Sequence, residues 1–173
     1  EDVFVALLDE AFEGLDLARA NAEANLQSAR ELFESIRESL LNHPRGGWSL
    51  KLLSGLITIK HGFAFKSEYF SESGTNAVLT PGNFYETGGF RARSEKQRYY
   101  TGEFPADFLL QEGDLLVAMT EQAPGLLGSC LIVPAADAYL HNQRLGLIKP
   151  RDGRAWDAEY FAHAFNLVAA KGP

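Results

Sequence analysis

The fold is decided first by residues 6–41, which read ALLDEAFEGLDLARANAEANLQSARELFESIRESLL. From Val3 to Leu41 the sequence contains no proline and a single glycine, Gly14. It is rich in Ala, Leu, Glu and Arg, which favour helices, whereas Gly14 weakens a helix by about 1 kcal/mol relative to alanine. The sequence therefore predicts one helix of about 39 residues, roughly 58 Å long at 1.5 Å per residue.

Apolar residues recur every seven positions along this helix, and we call them the seam: Leu8, Leu15, Ala22, Ala29 and Ile36. Further apolar residues four positions later widen the stripe: Phe12, Leu26, Phe33 and Leu40. A seven-residue period over five repeats is typical of a coiled coil. Since the helix is longer than a small domain is wide, we expect a second helix to cover part of the stripe. The alternative is a helix that lies wholly on its own domain.

The motif NHPRGG, residues 42–47, ends the helix because Pro44 cannot continue it. We therefore place a helical segment at 1–43 and a second domain at 44–173. In the second domain, turn signals separate short apolar runs, which are Leu52–Ile59, Ala77–Leu79, Leu115–Met119, Leu131–Val133 and Leu145–Ile148. This pattern predicts an irregular, part-closed β-rich domain and an α+β fold class.

Two segments of this domain have helical character. SLKLLSGLI, residues 49–57, forms either a strand or a short helix, because its apolar residues share one helical face. DAEYFAHAFNL, residues 157–167, is predicted to be a short helix capped near Asp157.

The acidity of the chain is confined to the helix. The 173 residues carry a net charge of −7, with 46% hydrophobic and 23% charged residues, as in ordinary folded proteins. Residues 1–43 hold ten acidic and three basic side chains, and the remaining residues hold thirteen of each. The second domain is therefore neutral as a whole and can carry a local basic face.

The sequence carries none of the motifs that mark common enzymes. It lacks a GxSxG elbow, a Walker loop, a GxGxxG fingerprint and the motifs of DNA-base methyltransferases. One cysteine and four scattered histidines do not form a recognisable zinc site. We expect a non-catalytic chain without a cofactor of its own. With Cys130 as its lone cysteine and no membrane-spanning run or signal peptide, we also expect a cytoplasmic protein.

Two stretches mix basic, amide and aromatic side chains: KHGFAFKSEYF at 60–70 and FRARSEKQRYY at 90–100. Lysine and arginine neutralise phosphates, and Arg, Gln and Asn also bond base edges. The candidate DNA-binding residues are Lys60, His61, Lys66, Asn83, Arg91, Arg93, Lys96, Gln97, Arg98, Tyr99 and Arg144. The alternative is a pair of solvated basic loops whose aromatic residues belong to the core.

A third stretch, AYLHNQRLGLIKP at 138–150, ends as a buried strand but begins with polar residues. His141, Asn142, Gln143 and Arg144 are four consecutive side chains with hydrogen-bonding groups. They either read DNA or bond to a neighbouring loop. For Asn142 and Gln143 we favour the second role, because buried amides often lock one loop to another.

The sequence resembles the specificity subunit of type I restriction-modification enzymes over nearly its whole length. Residues 6–41 are similar to the central conserved helix of that subunit, and the distinctive sequence motifs are LDEAFEG, NAE and ARELFES. The domain that follows resembles its target-recognition domain in LSGLITIKHGFAFKS, VLTPGNF, LLQEGDLLVAMT, GLLGSCLIVP and LHNQRLGLIKP. Asn142, Gln143 and Arg144 match the asparagine-glutamine signature of that family.

The resemblance implies a non-catalytic DNA-recognition subunit. Its recognition domain would read one half of a split target in double-stranded DNA, and its helix would act as a spacer. Modification and restriction subunits would assemble on it and supply methylation with S-adenosylmethionine and cleavage with ATP. The family has two recognition domains and two such helices, whereas this chain has one of each, and it begins with Glu1. Whether the chain is a fragment or a natural half-subunit, we expect its helix to pair with that of a second copy. The alternative to a DNA-recognition subunit is a non-catalytic protein-assembly module that docks partners through the coiled coil.

Overall fold

The computed structural model describes residues 2–42, 49, 51–153 and 156–171. The chain divides into two compact units, Glu1–Trp48 and Ser49–Pro173. The predicted domain boundary between residues 43 and 44 lies outside the described residues and stays a prediction.

The first unit contains one helix, α1, which spans Asp2–Asn42 and confirms the predicted long helix. Side-chain pairs four residues apart support its surface, with Arg19 Nε 2.9 Å from Glu23 and Gln27 Nε2 2.7 Å from Glu31. Its large apolar side chains are exposed, with exposed fractions from 44% at Leu8 to 85% at Val3. The seam residues are among those exposed side chains. The seam residues and the large apolar side chains of α1 for which burial is described are therefore exposed.

The second unit is built from two four-stranded sheets. Its strands are β1 (Ile57–His61), β2 (Phe70–Ser71), β3 (Ala77–Leu79), β4 (Tyr99–Tyr100), β5 (Leu115–Ala118), β6 (Cys130–Ile132), β7 (Tyr139–His141) and β8 (Leu145–Pro150). The first sheet has the order β1-β8-β5-β6 and is antiparallel throughout. The second has the order β2-β4-β3-β7, in which only β3 and β7 are parallel.

Short helices complete this unit. The helix α2 spans Ala158–Lys171, and the backbone N–H of Tyr160 donates to Asp157 Oδ1 at 2.9 Å, as the predicted cap requires. Six 3₁₀ helices lie in the described ranges, at Leu53–Gly55, Ser67–Tyr69, Pro81–Asn83, Ser94–Lys96, Ala106–Phe108 and Arg151–Gly153. No helix within those ranges is long and apolar enough to cross a membrane.

The continuous apolar runs of the central strands follow from burial on both faces of the first sheet. Leu115 and Val117 of β5 contribute to one core cluster together with Ala162 of α2. Leu116 and Ala118, which alternate with them along the strand, contribute to a second cluster. This sheet is therefore the middle layer of the unit.

The predicted strands are found where the apolar runs predicted them, as β3, β5, β6 and β8. The ambiguous segment at 49–57 forms a 3₁₀ helix and then enters β1. The strands β2, β4 and β7, of two or three residues each, were not predicted. Strands this short are stabilised by pairing with distant segments, so their own sequence carries little signal.

The two sheets are joined by the tight turn from β7 into β8. The backbone N–H of Phe63 donates to the His141 carbonyl at 2.8 Å, and that of Gln143 donates to the Phe63 carbonyl at 3.1 Å. The Met119 N–H donates to the Arg144 carbonyl at 3.0 Å. A Cβ on Gly62 would lie 2.6 Å from the His141 carbonyl oxygen and closer still to the Asn142 carbonyl. Only glycine therefore allows this approach.

His141 is fully buried beside the turn, and its Nε2 lies 2.9 Å from the Leu145 carbonyl oxygen. Burial lowers the pKa of its imidazole to about 4, against the opposing effect of the Leu145 bond. The ring is therefore neutral at neutral pH and supports the turn as an uncharged hydrogen-bonding group.

The outer strand β6 is bonded by a side chain of α2. Asn166 Oδ1 accepts a hydrogen bond from the Cys130 N–H at 2.6 Å, and Asn166 Nδ2 donates to the Cys130 carbonyl at 3.2 Å. Gly88 lies against this amide at a positive φ of 88°, and a Cβ there would overlap the Asn166 side chain. The asparagine thus takes the position that a neighbouring strand would occupy.

Replacing Gly62 with alanine tests the joint between the sheets. We expect Gly62→Ala to lower the free energy of unfolding by about 3 kcal/mol, because backbone atoms must move to admit the methyl group. The matched control is Gly55→Ala, where a Cβ would meet nothing within 4 Å. Denaturant unfolding of both variants measures the difference, and equal stabilities would contradict a locked joint.

Candidate nucleic-acid interface

Asn83 lies in the interior of the second unit and has no exposed surface. Its Oδ1 accepts the Thr80 N–H at 3.0 Å, and its Nδ2 donates to Gln97 Oε1 at 2.9 Å. Gln97 is half-buried, and its Nε2 donates to the Val78 carbonyl at 3.0 Å. The amide of Asn83 is therefore enclosed and engaged by protein groups, and its contact with DNA stays a prediction. Gln97 shares that network and holds the loop at 90–100.

The arginines of the stretch at 90–100 are exposed or half-buried, but protein groups already occupy them. Arg98 forms an ion pair with Glu72 at 3.0 Å, and Arg93 Nη1 lies 3.4 Å from Thr80 Oγ1. The Arg91 guanidinium lies 5.6 Å from the centre of the Tyr85 ring. Any contact with phosphate would compete with these pairings.

Lys96 differs from its neighbours on this loop. It is exposed at the end of a 3₁₀ helix, and no side-chain partner engages it within the described residues. The structure brings three other predicted residues, Arg93, Gln97 and Tyr99, to one cleft of about 390 Å³, which Tyr139 also lines. Tyr99 is half-buried there because β4 pairs it with Ala77.

The stretch at 60–70 contributes Phe65 to the core, and Phe63 and Phe70 pack against it, whereas Tyr69 is exposed. Phe65 is buried, and its ring centre lies 4.7 Å from that of Tyr100. Lys60 donates to the Asp107 carbonyl at 2.8 Å and lies 4.5 Å from the centre of the Phe108 ring. Lys66 is exposed, and among the described residues no side chain pairs with it. Lys66 therefore remains available to a phosphate, whereas Lys60 is held by the protein.

The polar residues of the β7–β8 turn divide into two groups. Asn142 is buried, and its Oδ1 accepts the Arg144 N–H at 3.0 Å, so its side chain stabilises its own turn instead of bonding to a neighbouring loop. Gln143 and Arg144 are exposed, and neither side chain has a protein partner in the part of the chain that the structure describes. His61 is exposed at the same end of the first sheet, since it pairs with Gly146. For Gln143 the structure differs from the locking role, and exposure was the property that the sequence did not reveal.

The described residues offer little for metal or nucleophilic chemistry. Among them, no three His, Cys, Asp or Glu side chains cluster closely enough to hold a metal ion. Burial raises the pKa of the Cys130 thiol to about 12, so it remains protonated and unreactive. The exposed side chains of Lys66, Lys96 and Arg144 carry only hydrogen-bond donors, which suit a partner rich in acceptors.

Comparison with solved structures relates this architecture to known proteins. The crystal structure of the HsdS subunit from Thermoanaerobacter tengcongensis superposes on 96% of this chain, with a TM-score of 0.58 and 16% sequence identity. The chain has the HsdS fold. It spans 40% of the length of that HsdS chain. No protein-family model matches the sequence, and no curated protein matches it as a relative.

Two further structures share parts of the HsdS fold. One comes from work on complex assembly and conformational transition of the type I R-M system, at 17% identity and a TM-score of 0.48 over 85% of this chain and 40% of that chain. The other is the type I restriction-modification S subunit from M. genitalium, at 15% identity and a TM-score of 0.42 over 69% of this chain and 26% of that one. The elements of this chain and its likeness to the first HsdS structure, at a TM-score of 0.58, confirm the predicted α+β fold, a long helix followed by a β-rich domain with short helices.

The free energy of unfolding distinguishes the buried amide of Asn83 from the exposed amide of Gln143. We expect Asn83→Ala to cost about 2–3 kcal/mol of unfolding free energy, because it leaves buried partners of the amide unsatisfied. Gln143→Ala should change stability by less than about 0.5 kcal/mol, as surface substitutions usually do. Chemical denaturation followed by circular dichroism measures both. A larger cost at Gln143 would restore its loop-locking role.

Proposed function

We propose that this chain is a DNA-recognition part of a type I restriction-modification specificity subunit. The observation that carries the proposal is the likeness of its fold to an HsdS subunit over 96% of its length. Residues 44–173 would read one half of a bipartite target in double-stranded DNA, and residues 1–43 would serve as the spacer helix. The modification and restriction subunits of the same system would assemble on it in the cytoplasm.

The proposed subunit performs no chemistry of its own. Methylation and cleavage belong to its partner subunits, and the chain needs no cofactor to bind a duplex. The subunit positions its partners, because the DNA site that it binds determines where they act. The neutral charge of residues 44–173 fits this task, since exposed cations at one face attract DNA without a strongly basic domain.

The free cations identify the residues that we assign to the DNA face. Lys66 and Lys96 are exposed and unengaged among the described residues. Seven other predicted contacts require the release of a protein contact or of partial burial, at Lys60, Asn83, Arg91, Arg93, Gln97, Arg98 and Tyr99. We therefore propose that the unengaged cations dominate the affinity for phosphates.

Reversing two free lysines tests DNA recognition. We expect Lys66→Glu with Lys96→Glu to weaken duplex binding about a hundredfold and to lower the salt slope by about 2, because two phosphate contacts are lost. The control is Lys51→Glu, an exposed residue that precedes the first 3₁₀ helix. Fluorescence anisotropy over a range of salt concentrations measures the effect. Salt-independent or absent DNA binding by the unchanged chain would favour the protein-assembly alternative.

The exposed stripe of α1 supports a second proposal about partners. An exposed apolar surface that exceeds a few hundred Å² is uncommon in soluble monomers. We propose that a second copy covers the stripe, with the two helices antiparallel around a two-fold axis. Such a dimer would present two identical recognition domains.

Charge placed on the seam should separate the two copies. We expect light scattering to give twice the 19.1 kDa chain mass for the unchanged protein at micromolar concentration. Leu15→Asp with Ile36→Asp should give the monomer mass, because carboxylates do not pack in an apolar seam. The control adds the same charges beside the seam, through Gln27→Asp and Ser35→Asp, and should remain dimeric. A monomer with an ordered helix would contradict the proposal.

A further inference from the structure

One group of exposed side chains lies at a single end of the first sheet, and we call it the turn cluster: His61, Gln143 and Arg144. Strand β1 ends at His61, whose backbone pairs with Gly146 two residues beyond Arg144. All three side chains are exposed. The cluster therefore combines groups from two neighbouring strand ends.

The backbone beneath the cluster is held from several directions. Gln143 N–H bonds the Phe63 carbonyl at 3.1 Å, and Leu145 N–H bonds the Asn142 carbonyl at 3.0 Å. The Arg144 carbonyl accepts the Met119 N–H at 3.0 Å, and the Arg144 N–H bonds Asn142 Oδ1 at 3.0 Å. The backbone of Gln143 and Arg144 is thus held in place by hydrogen bonds. Within the described residues, their side chains have no protein partner.

We propose that the turn cluster binds the phosphate backbone of duplex DNA and sets the register of the recognition domain, independently of base sequence. This inference rests on the proposed function and extends it to named residues. Arg144 offers five N–H donors and a permanent charge, and Gln143 offers an amide group. Phosphate contacts of this kind position a protein on DNA without reading its sequence.

The rigidity of the turn favours phosphate over base edges. Phosphates recur along the duplex whatever the sequence, so donors with a fixed origin can meet them on any target. Base edges present a different pattern of donors and acceptors at each base pair, and each pattern requires its own arrangement of side chains. A turn bonded to Phe63 and Met119 cannot be rearranged without disturbing the joint between the sheets.

The test replaces Arg144 and reads affinity, salt dependence and sequence preference together. We expect Arg144→Gln to weaken binding of a fluorescein-labelled duplex of mixed sequence about tenfold and to lower the salt slope by about 1. The bases selected from a randomised duplex pool should stay unchanged. Arg144→Lys, which keeps the charge, should restore the salt slope.

The matched control is Lys51→Gln, which removes one exposed charge before the Ile57 end of β1, opposite to the turn cluster. It should leave affinity and salt slope as they are. Unchanged binding by Arg144→Gln would overturn the inference, and so would a relaxed preference at one base pair with an unchanged slope, because Arg144 would then read a base. A chain that binds no duplex at all would instead overturn the proposed function together with this inference.

Discussion

The backbone hydrogen bonds between the β7–β8 turn and the segment after β1 are the constraint on which the second unit depends. β7 belongs to one sheet and β8 to the other, so the three residues between them fix how the sheets meet. Gly62 permits the contact, Asn142 Oδ1 accepts the Arg144 N–H, and His141 Nε2 lies 2.9 Å from the Leu145 carbonyl oxygen. Of the polar residues between β7 and β8 and at the end of β7, His141 and Asn142 are therefore buried, whereas Gln143 and Arg144 are exposed.

The difference between local and tertiary interactions decides which helices and strands the sequence predicts. The helix α1 and the strands β5 and β8 were predicted because periodicity and apolar runs are local signals that extend over many residues. In the second sheet only β3 was predicted, and β2 and β4 were missed because they are two residues long and distant segments stabilise them. The sequence of a helix or strand predicts that element well only when local interactions contribute much of its stability.

Candidate site residues were harder to assign than elements. The amide of Asn83 has the groups that would bond adenine, but the same groups bond the backbone of Thr80 and the side chain of Gln97. Arg98 looks like a phosphate ligand in the sequence, yet Glu72, which is 26 positions earlier in the chain, neutralises it. Residue type specifies what a side chain is able to bond, and only tertiary contacts decide whether a protein group already occupies it.

The pairing of Asn166 with Cys130 has a consequence for how the domain behaves in a crowded cell. An outer strand with unpaired N–H and carbonyl groups is a template on which another chain can add a strand, and sheets with such edges aggregate. At Cys130 the amide of Asn166 occupies both groups, and Gly88 leaves room for it to do so. The helix α2 thereby blocks strand addition at Cys130 of β6, so that within the described sheet the exposed edge is the opposite one, formed by β1.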